Sequence, residues 1–225
     1  MEKKLSVIIP VKNNIKLTQD CIDSLRKNTP MLGEIIIIDD HSIDEISSIE
    51  GVRHYMNRGT GIYTAWNYGG ELAKYPYIAF INNDILFSKD WEKPLIEALN
   101  EDVWVASPWH TAGDLPADFP IGVTRKTNMM GNETGLPFIG SCFIMEKKNW
   151  DKVQPIDERF KLWSGDNYLY ESVTQDFKKK TVEVKDSYVH HFGGRTMMIP
   201  SSNPIFEEDL RVFDEVFKSK GWQIK

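Results

Sequence analysis

The stretch Ile78-Ala-Phe-Ile-Asn-Asn-Asp84-Ile-Leu-Phe87 is an apolar run that breaks into two amides and a carboxylate before hydrophobicity resumes. A continuous run of this kind reads as a strand covered on both faces. An acid where such a strand leaves its sheet stands at the rim where open α/β sheets bind ligands, and there it can hold a divalent cation against a phosphate. A turn capping the next helix would use the same residue types, so the meaning of Asp84 depends on the chain around it.

Upstream, Leu5 to Pro10 is a short apolar β run, and Ile15 to Lys27 carries Leu17, Cys21, Ile22 and Leu25 at helical spacing behind an Asn13-Asn14 cap. Glu34 to Ile38 is a second apolar run, ending in Asp39-Asp40-His-Ser42. Val52 to Met56 predicts a third strand and Thr60 to Lys74 a helix opened by Asn57-Arg-Gly59. Ile/Val runs separated by amphipathic helices signal parallel strands sandwiched between helices, so residues 1–107 are expected to form a nucleotide-binding α/β half.

Downstream, Trp91 to Leu99 predicts a helix and Val103 to Ser107 a strand. Pro108 to Thr134 is rich in Pro and Gly with weak periodicity, and reads as a mobile or acceptor-facing segment. Leu136 to Met145 predicts a strand, Glu146 to Val153 a short helix, Asp166 to Phe177 an amphipathic helix and Thr181 to Val189 a strand. Pro204 to Lys220 predicts a helix with Phe206, Leu210, Phe213 and Phe217 on one face. With no internal repeat, the expectation is a single domain over 1–225, its second half, 108–225, binding the acceptor and carrying catalysis.

Composition narrows the function classes. The 225 residues are 41% hydrophobic, enough for one large core, and the formal net charge of -6 argues against a general electrostatic grip on nucleic acid. Charge thus gives a nucleic-acid acceptor no support, without closing the possibility. Cys21 and Cys142 lack the spacing of a disulfide scaffold or zinc site and read as buried thiols of a reducing cytosol. No stretch approaches the ~18 apolar residues of a membrane span, so a soluble, cytoplasmic protein is expected.

Ser6-Val-Ile-Ile-Pro-Val-Lys-Asn13, Ile36-Ile-Ile-Asp-Asp-His-Ser42, Asn57-Arg-Gly59 with Ala65-Trp-Asn67-Tyr-Gly69, and Ile81-Asn-Asn-Asp84 follow one another in order. Together they resemble glycosyltransferase family 2, and Phe138 to Met145, Ile156-Asp-Glu-Arg-Phe160, Gly165-Asp166 and His191-Phe-Gly-Gly194 resemble its acceptor-side motifs. The resemblance covers nearly the whole chain. It implies a GT-A fold, a Rossmann-like mixed sheet flanked by helices, and a metal-dependent, inverting transferase moving a sugar from a UDP- or dTDP-sugar to a hydroxyl acceptor. That acceptor could be a glycan, a lipid-linked sugar, a protein, a small molecule or a modified base.

Carried over residue by residue, the resemblance makes Asp84 a ligand of Mn2+ or Mg2+, with Asn82 and Asn83 where acids sometimes stand and Asn83 in the donor site. It makes His191 the second ligand, in preference to His190, and an imidazole favours manganese over magnesium. Asp40 would accept from N3–H of a uracil or thymine ring, with Pro10 and Val11 lining the ring pocket. Asn57, Arg58 and Asn67 would run beside the nucleotide and sugar, Arg58 being able to fork a phosphate and Gly59 and Gly61 allowing positive φ or close approach. Asp166 would be the general base, although Gly165 replaces the acid that precedes it in the family.

Plainer roles fit some of these residues. Asp39 and Asp40 could cap a helix near Ser42, Asp166 could cap its own helix, and a histidine can close a strand end. Trp104, Trp109, Trp163 and Tyr168 are candidates for an acceptor platform, although tryptophans in such a chain more often fill core. Two other functions compete: an inactive nucleotide-sugar or glycan-binding module, suggested by Asn82, Asn83 and Gly165, and a nucleotidyltransferase. The latter normally needs a Gly- and Lys/Arg-rich loop where Pro10-Val-Lys-Asn-Asn14 has one Lys and no Gly.

Overall fold

The structure, a computed structural model, describes residues 4–112, 138, 140–193 and 202–223. Its strands are β1 (Leu5–Val11), β2 (Leu32–Asp39), β3 (Arg53–Met56), β4 (Tyr77–Ile81), β5 (Ile85–Phe87), β6 (Val103–Ala112), β7 (Cys142–Glu146) and β8 (Lys180–His191). The helices are α1 (Ile15–Asn28), α2 (Ile62–Leu72), α3 (Glu92–Ala98), α4 (Lys147–Val153), α5 (Gly165–Glu171) and α6 (Ser202–Lys220).

One sheet carries the strands in the order β3-β2-β1-β4-β7-β6-β8-β5. β1, β2, β3 and β4 are parallel, β7 opposes β4 and β6, β8 runs with β6, and β5 opposes β8. All strands except β7 and β5 therefore end at the same edge of the sheet. The Ile/Val runs are continuous because both faces are covered. Ile8, Ile36, Ile38, Ile78 and Phe80 join one apolar cluster, while Val7, Ile9, Ile35, Ile37, Ala79 and Ile81 join another.

Several expectations need correction. Asn14 sits in the left-handed region at φ 59° and makes no side-chain cap for α1. No helix begins near Ser42, where a single 3-10 turn, Ile46–Ser48, follows instead. Ile85–Phe87, where hydrophobicity resumes after Asp84 and no element was expected, is a short strand on β8. Pro108 to Ala112 continue β6, and the rest of the Pro/Gly-rich segment, residues 113–134, lies outside the described residues. The helix expected over Asp166 to Phe177 stops at Glu171 and widens into a π-type turn, Ser172–Asp176.

Helix α6 is rotated from the expected stripe. Asp209, Val212 and Val216 are buried, whereas Phe206 and Leu210 are each 43% exposed. Among the described residues no helix is long and apolar enough to cross a membrane.

Candidate active site

Pro10, Val11, Asp40, Asn57, Asp84 and His191 sit at or just beyond the ends of strands or in the loop after β4, whereas Asn67 lies in α2 and Asp166 in the first turn of α5. The edge is stitched first at its β1–β2 side. Asn13 donates its N–H to Ser42 Oγ (2.7 Å) and accepts from Ile43 N (2.7 Å), while Asp39 Oδ1 accepts from Ser42 N (2.8 Å). Asp40 is 8% exposed; its Oδ1 accepts from Asn57 Nδ2 (2.9 Å) and Gly61 N (3.0 Å), and its Oδ2 lies 3.3 Å from the exposed ammonium of Lys12. Val11 is buried and Pro10 partly exposed beside it.

Three expected donor-site residues carry structural duties. Asn67 is 4% exposed, and its amide brackets Ile156, donating to the carbonyl (2.8 Å) and accepting from the N–H (2.9 Å). Arg58 turns outward onto α2, paired with Glu71 at 2.9 Å, its guanidinium 3.8 Å from the Tyr68 ring centroid. Asn83 donates to Thr18 Oγ1 of α1 (2.9 Å), which anchors the loop after β4.

At the loop's end Asp84 meets His191. Ile85 lies opposite His191 in the β5–β8 pair, and Phe192 N donates to the Asp84 carbonyl (3.0 Å). His191 Nε2 is 3.0 Å from Asp84 Oδ1, and Asn82 Nδ2 approaches the same nitrogen at 3.5 Å. Yet Asp84 Oδ1, buried from solvent, has no hydrogen-bond partner, so no N–H is aimed along the short contact. A carboxylate and an imidazole facing one spot without bonding to each other form a donor set that suits a divalent cation. Among the described residues no third carboxylate, imidazole or thiolate completes a cluster with them. His190 is fully buried on the opposite side of the strand, edge-on to Phe192.

Asp166 closes the mouth from α5. A Cβ on Gly140 would lie 2.7 Å from Asp166 Oδ2, so glycine lets the turn before β7 run this close to the carboxyl group. Ser141, the next residue, accepts from Asn82 N (2.8 Å), which ties Asp166 to the Asp84 loop. On the other flank Gly61, at φ +95°, has no room for a Cβ, which would be 2.6 Å from Lys161 O. Gly61 thereby couples the Asp40 loop to the segment leading into Asp166. Burial raises the Asp166 carboxyl above its ordinary value, opposed by the N–H of Asn167 (2.9 Å). Gly165 has a packing reason: a Cβ there would lie 2.2 Å from the Tyr63 ring.

Sequence reasoning missed Asp209. Fully buried on α6, it accepts from Lys161 N (2.9 Å), Leu162 N (2.8 Å) and Trp163 N (2.7 Å), holding the turn before Asp166. Its signal was the stripe Asp209, Val212, Val216, which the brighter aromatic stripe masked. Of the aromatic candidates, Trp104 packs on Phe177 and donates to Glu101 O (3.2 Å), Trp163 lies edge-on to Phe206, and Tyr168 is buried between Phe160 and Trp222. Trp109 stays partly exposed.

Residues 6–154 match the family described as Glycosyl transferase family 2. The chain belongs to glycosyl transferase family 2. It is 35% identical over 118 residues to an uncharacterized glycosyltransferase of Rickettsia felis, a match covering 49% of this chain and 19% of that protein. It is 29% identical over 111 residues to glycosyltransferase GlyG of Streptococcus pneumoniae, covering 45% of this chain and 36% of GlyG. The matches thus span well under half the length of these relatives. In fold, the family 2 domain superposes on GalNAc-T7 crystallised with UDP, GalNAc and Mn2+ (TM-score 0.69, 18% identity, 94% of this chain and 47% of that one). It also superposes on S. aureus TarS (TM-score 0.66, 16% identity, 99% and 67%). The fold is GT-A, as the motifs implied.

Proposed function

We propose that this family 2 domain transfers a sugar from a uridine or thymidine diphosphate donor to an acceptor hydroxyl, with inversion and with a divalent cation. The observation that carries the reading is the pair of Asp84 Oδ1 and His191 Nε2, 3.0 Å apart with Oδ1 unpartnered, at the edge that also holds Asp40 and Asp166. Asp84 and His191 would hold the cation, and the imidazole tilts the choice toward manganese. A cation bound there would offset the negative charge of the departing nucleotide diphosphate. That the fold neighbour GalNAc-T7 was crystallised with UDP and Mn2+ supports the assignment.

On the chain's own side, Asp40 Oδ1 holds Asn57 and Gly61, and Oδ2, which here meets the exposed Lys12 ammonium, would turn to a nucleobase N–H. Asp166 takes the proton of the acceptor hydroxyl as the oxygen attacks, and burial raises its affinity for that proton. UDP or dTDP is expected to raise the melting temperature, and Mn2+ to add to the shift. At about a hundredfold excess over Kd each ligand stabilises by about 2.7 kcal/mol. Asp84→Asn should lose the manganese increment. A chain that no pyrimidine nucleotide stabilises would overturn the donor reading.

A further inference from the structure

Ser107 Oγ and Trp109 Nε1 on β6, and Thr181 Oγ1 and Glu183 Oε2 on β8, are buried polar atoms without a hydrogen-bond partner. They share one face of two adjoining strands. Val105 lies opposite Thr181 and Ser107 opposite Glu183, and in a parallel pair opposite residues point the same way. The register shifts between Pro108 and Trp109, and Trp109 joins the row through Lys185, two beyond Glu183, whose ammonium lies 5.7 Å from its ring centroid. Buried polar atoms are nearly always paired, so four unpaired neighbours in a row require an explanation.

The row leads to the catalytic edge on the side of Asp166. Val105, on the same face, packs in one cluster with Tyr168 and Leu169 of α5, the helix that carries Asp166. Ala106 lies opposite Ile144 on β7, the strand that begins just after Gly140 and the Asp166 carboxyl beside it. Burial raises the Glu183 carboxyl from its ordinary value against the pull of Lys185.

Resting on the transferase reading above, we propose that Trp109, Glu183, Ser107 and Thr181 form the acceptor subsite and that the acceptor it takes is a carbohydrate. A partly exposed indole offers a flat surface to the apolar face of a sugar ring, and the hydroxyl, N–H and carboxyl groups beside it match a ring bearing many hydroxyls. A polyanionic acceptor fits poorly, because the row contains an acid and the chain has a net charge of -6.

The test is saturation-transfer NMR on the full chain with a panel of methyl glycosides, with and without UDP and Mn2+. At least one glycoside is expected to receive saturation, and Trp109→Ala to weaken it by about tenfold. The isosteric Glu183→Gln should weaken the same glycoside, and serves if the tryptophan variant fails to fold, judged by its melting transition. Binding unchanged in both variants overturns the proposal. So does a wild-type chain that binds no glycoside, in which case the row holds ordered water only. Failure of UDP to bind would instead strike the donor reading, since the glycoside arm without UDP is read separately.

Discussion

Burial raises the Asp166 carboxyl because the group faces Gly140 and packed chain, against the hydrogen bonds of the Asn167 and Asp166 N–H groups. The folded chain therefore holds that proton more tightly than the unfolded chain does. Stability falls as pH rises from the ordinary carboxylate range through the raised value, and the cost is complete above it. Asp166→Asn should consequently melt higher than the wild type at about pH 8, the difference closing toward about pH 4. Transfer in the same variant should drop by roughly 10²- to 10⁴-fold, with UDP still bound. A variant that loses activity without gaining stability at alkaline pH would mean that the carboxylate is better solvated than its packing implies. At this scale Asp84, His191, Asp40 and Asp166 were legible as strand-end or helix-start residues. The duties of Asn67, Arg58 and Asn83 were not, because an amide or guanidinium has the same sequence signature whether it meets a ligand or a distant backbone.

Among the elements, α6 shows how a helix far along the chain governs the site. Its buried Asp209 gathers three consecutive N–H groups of the turn before α5. Bonds to a charged acceptor are worth about 1.5–3 kcal/mol each, and leaving buried N–H groups unpaired adds to the loss. Asp209→Ala is expected to lower stability by about 3–5 kcal/mol, as for a broken buried polar network, and to reduce turnover more than UDP affinity. Chemical denaturation with a parallel titration of UDP separates the two, and a variant with wild-type turnover would deny Asp209 its positioning role. The long apolar runs of β1, β2 and β4 were readable because fully covered strands leave no polar interruptions. β5 was not, since three residues carry too little pattern to distinguish a strand from the end of a loop, and its pairing with β8 is a contact across the molecule.

For the molecule as a whole, the sheet turns scattered motifs into one edge. Asp40 takes the N–H of Gly61, and Asp84 takes the N–H of Phe192 through its carbonyl, so amides from opposite halves of the chain report on the same mouth. Hydrogen exchange at both should slow when UDP and Mn2+ are added together, while the β1–β2 ladder is unchanged. Protection at Gly61 alone would show that the His191 flank belongs to a different site. The sequence by itself determined the parallel half, the family and the residue types at the strand ends, because backbone pairing, side-chain alternation and turn chemistry act over short stretches. Only the tertiary structure decided that His191 Nε2 comes within 3.0 Å of Asp84 without bonding to it, why Gly140 and Gly165 must be glycines, and that Asp209 braces the turn before Asp166. Those facts depend on close approach between segments whose order along the chain says nothing about their distance in space.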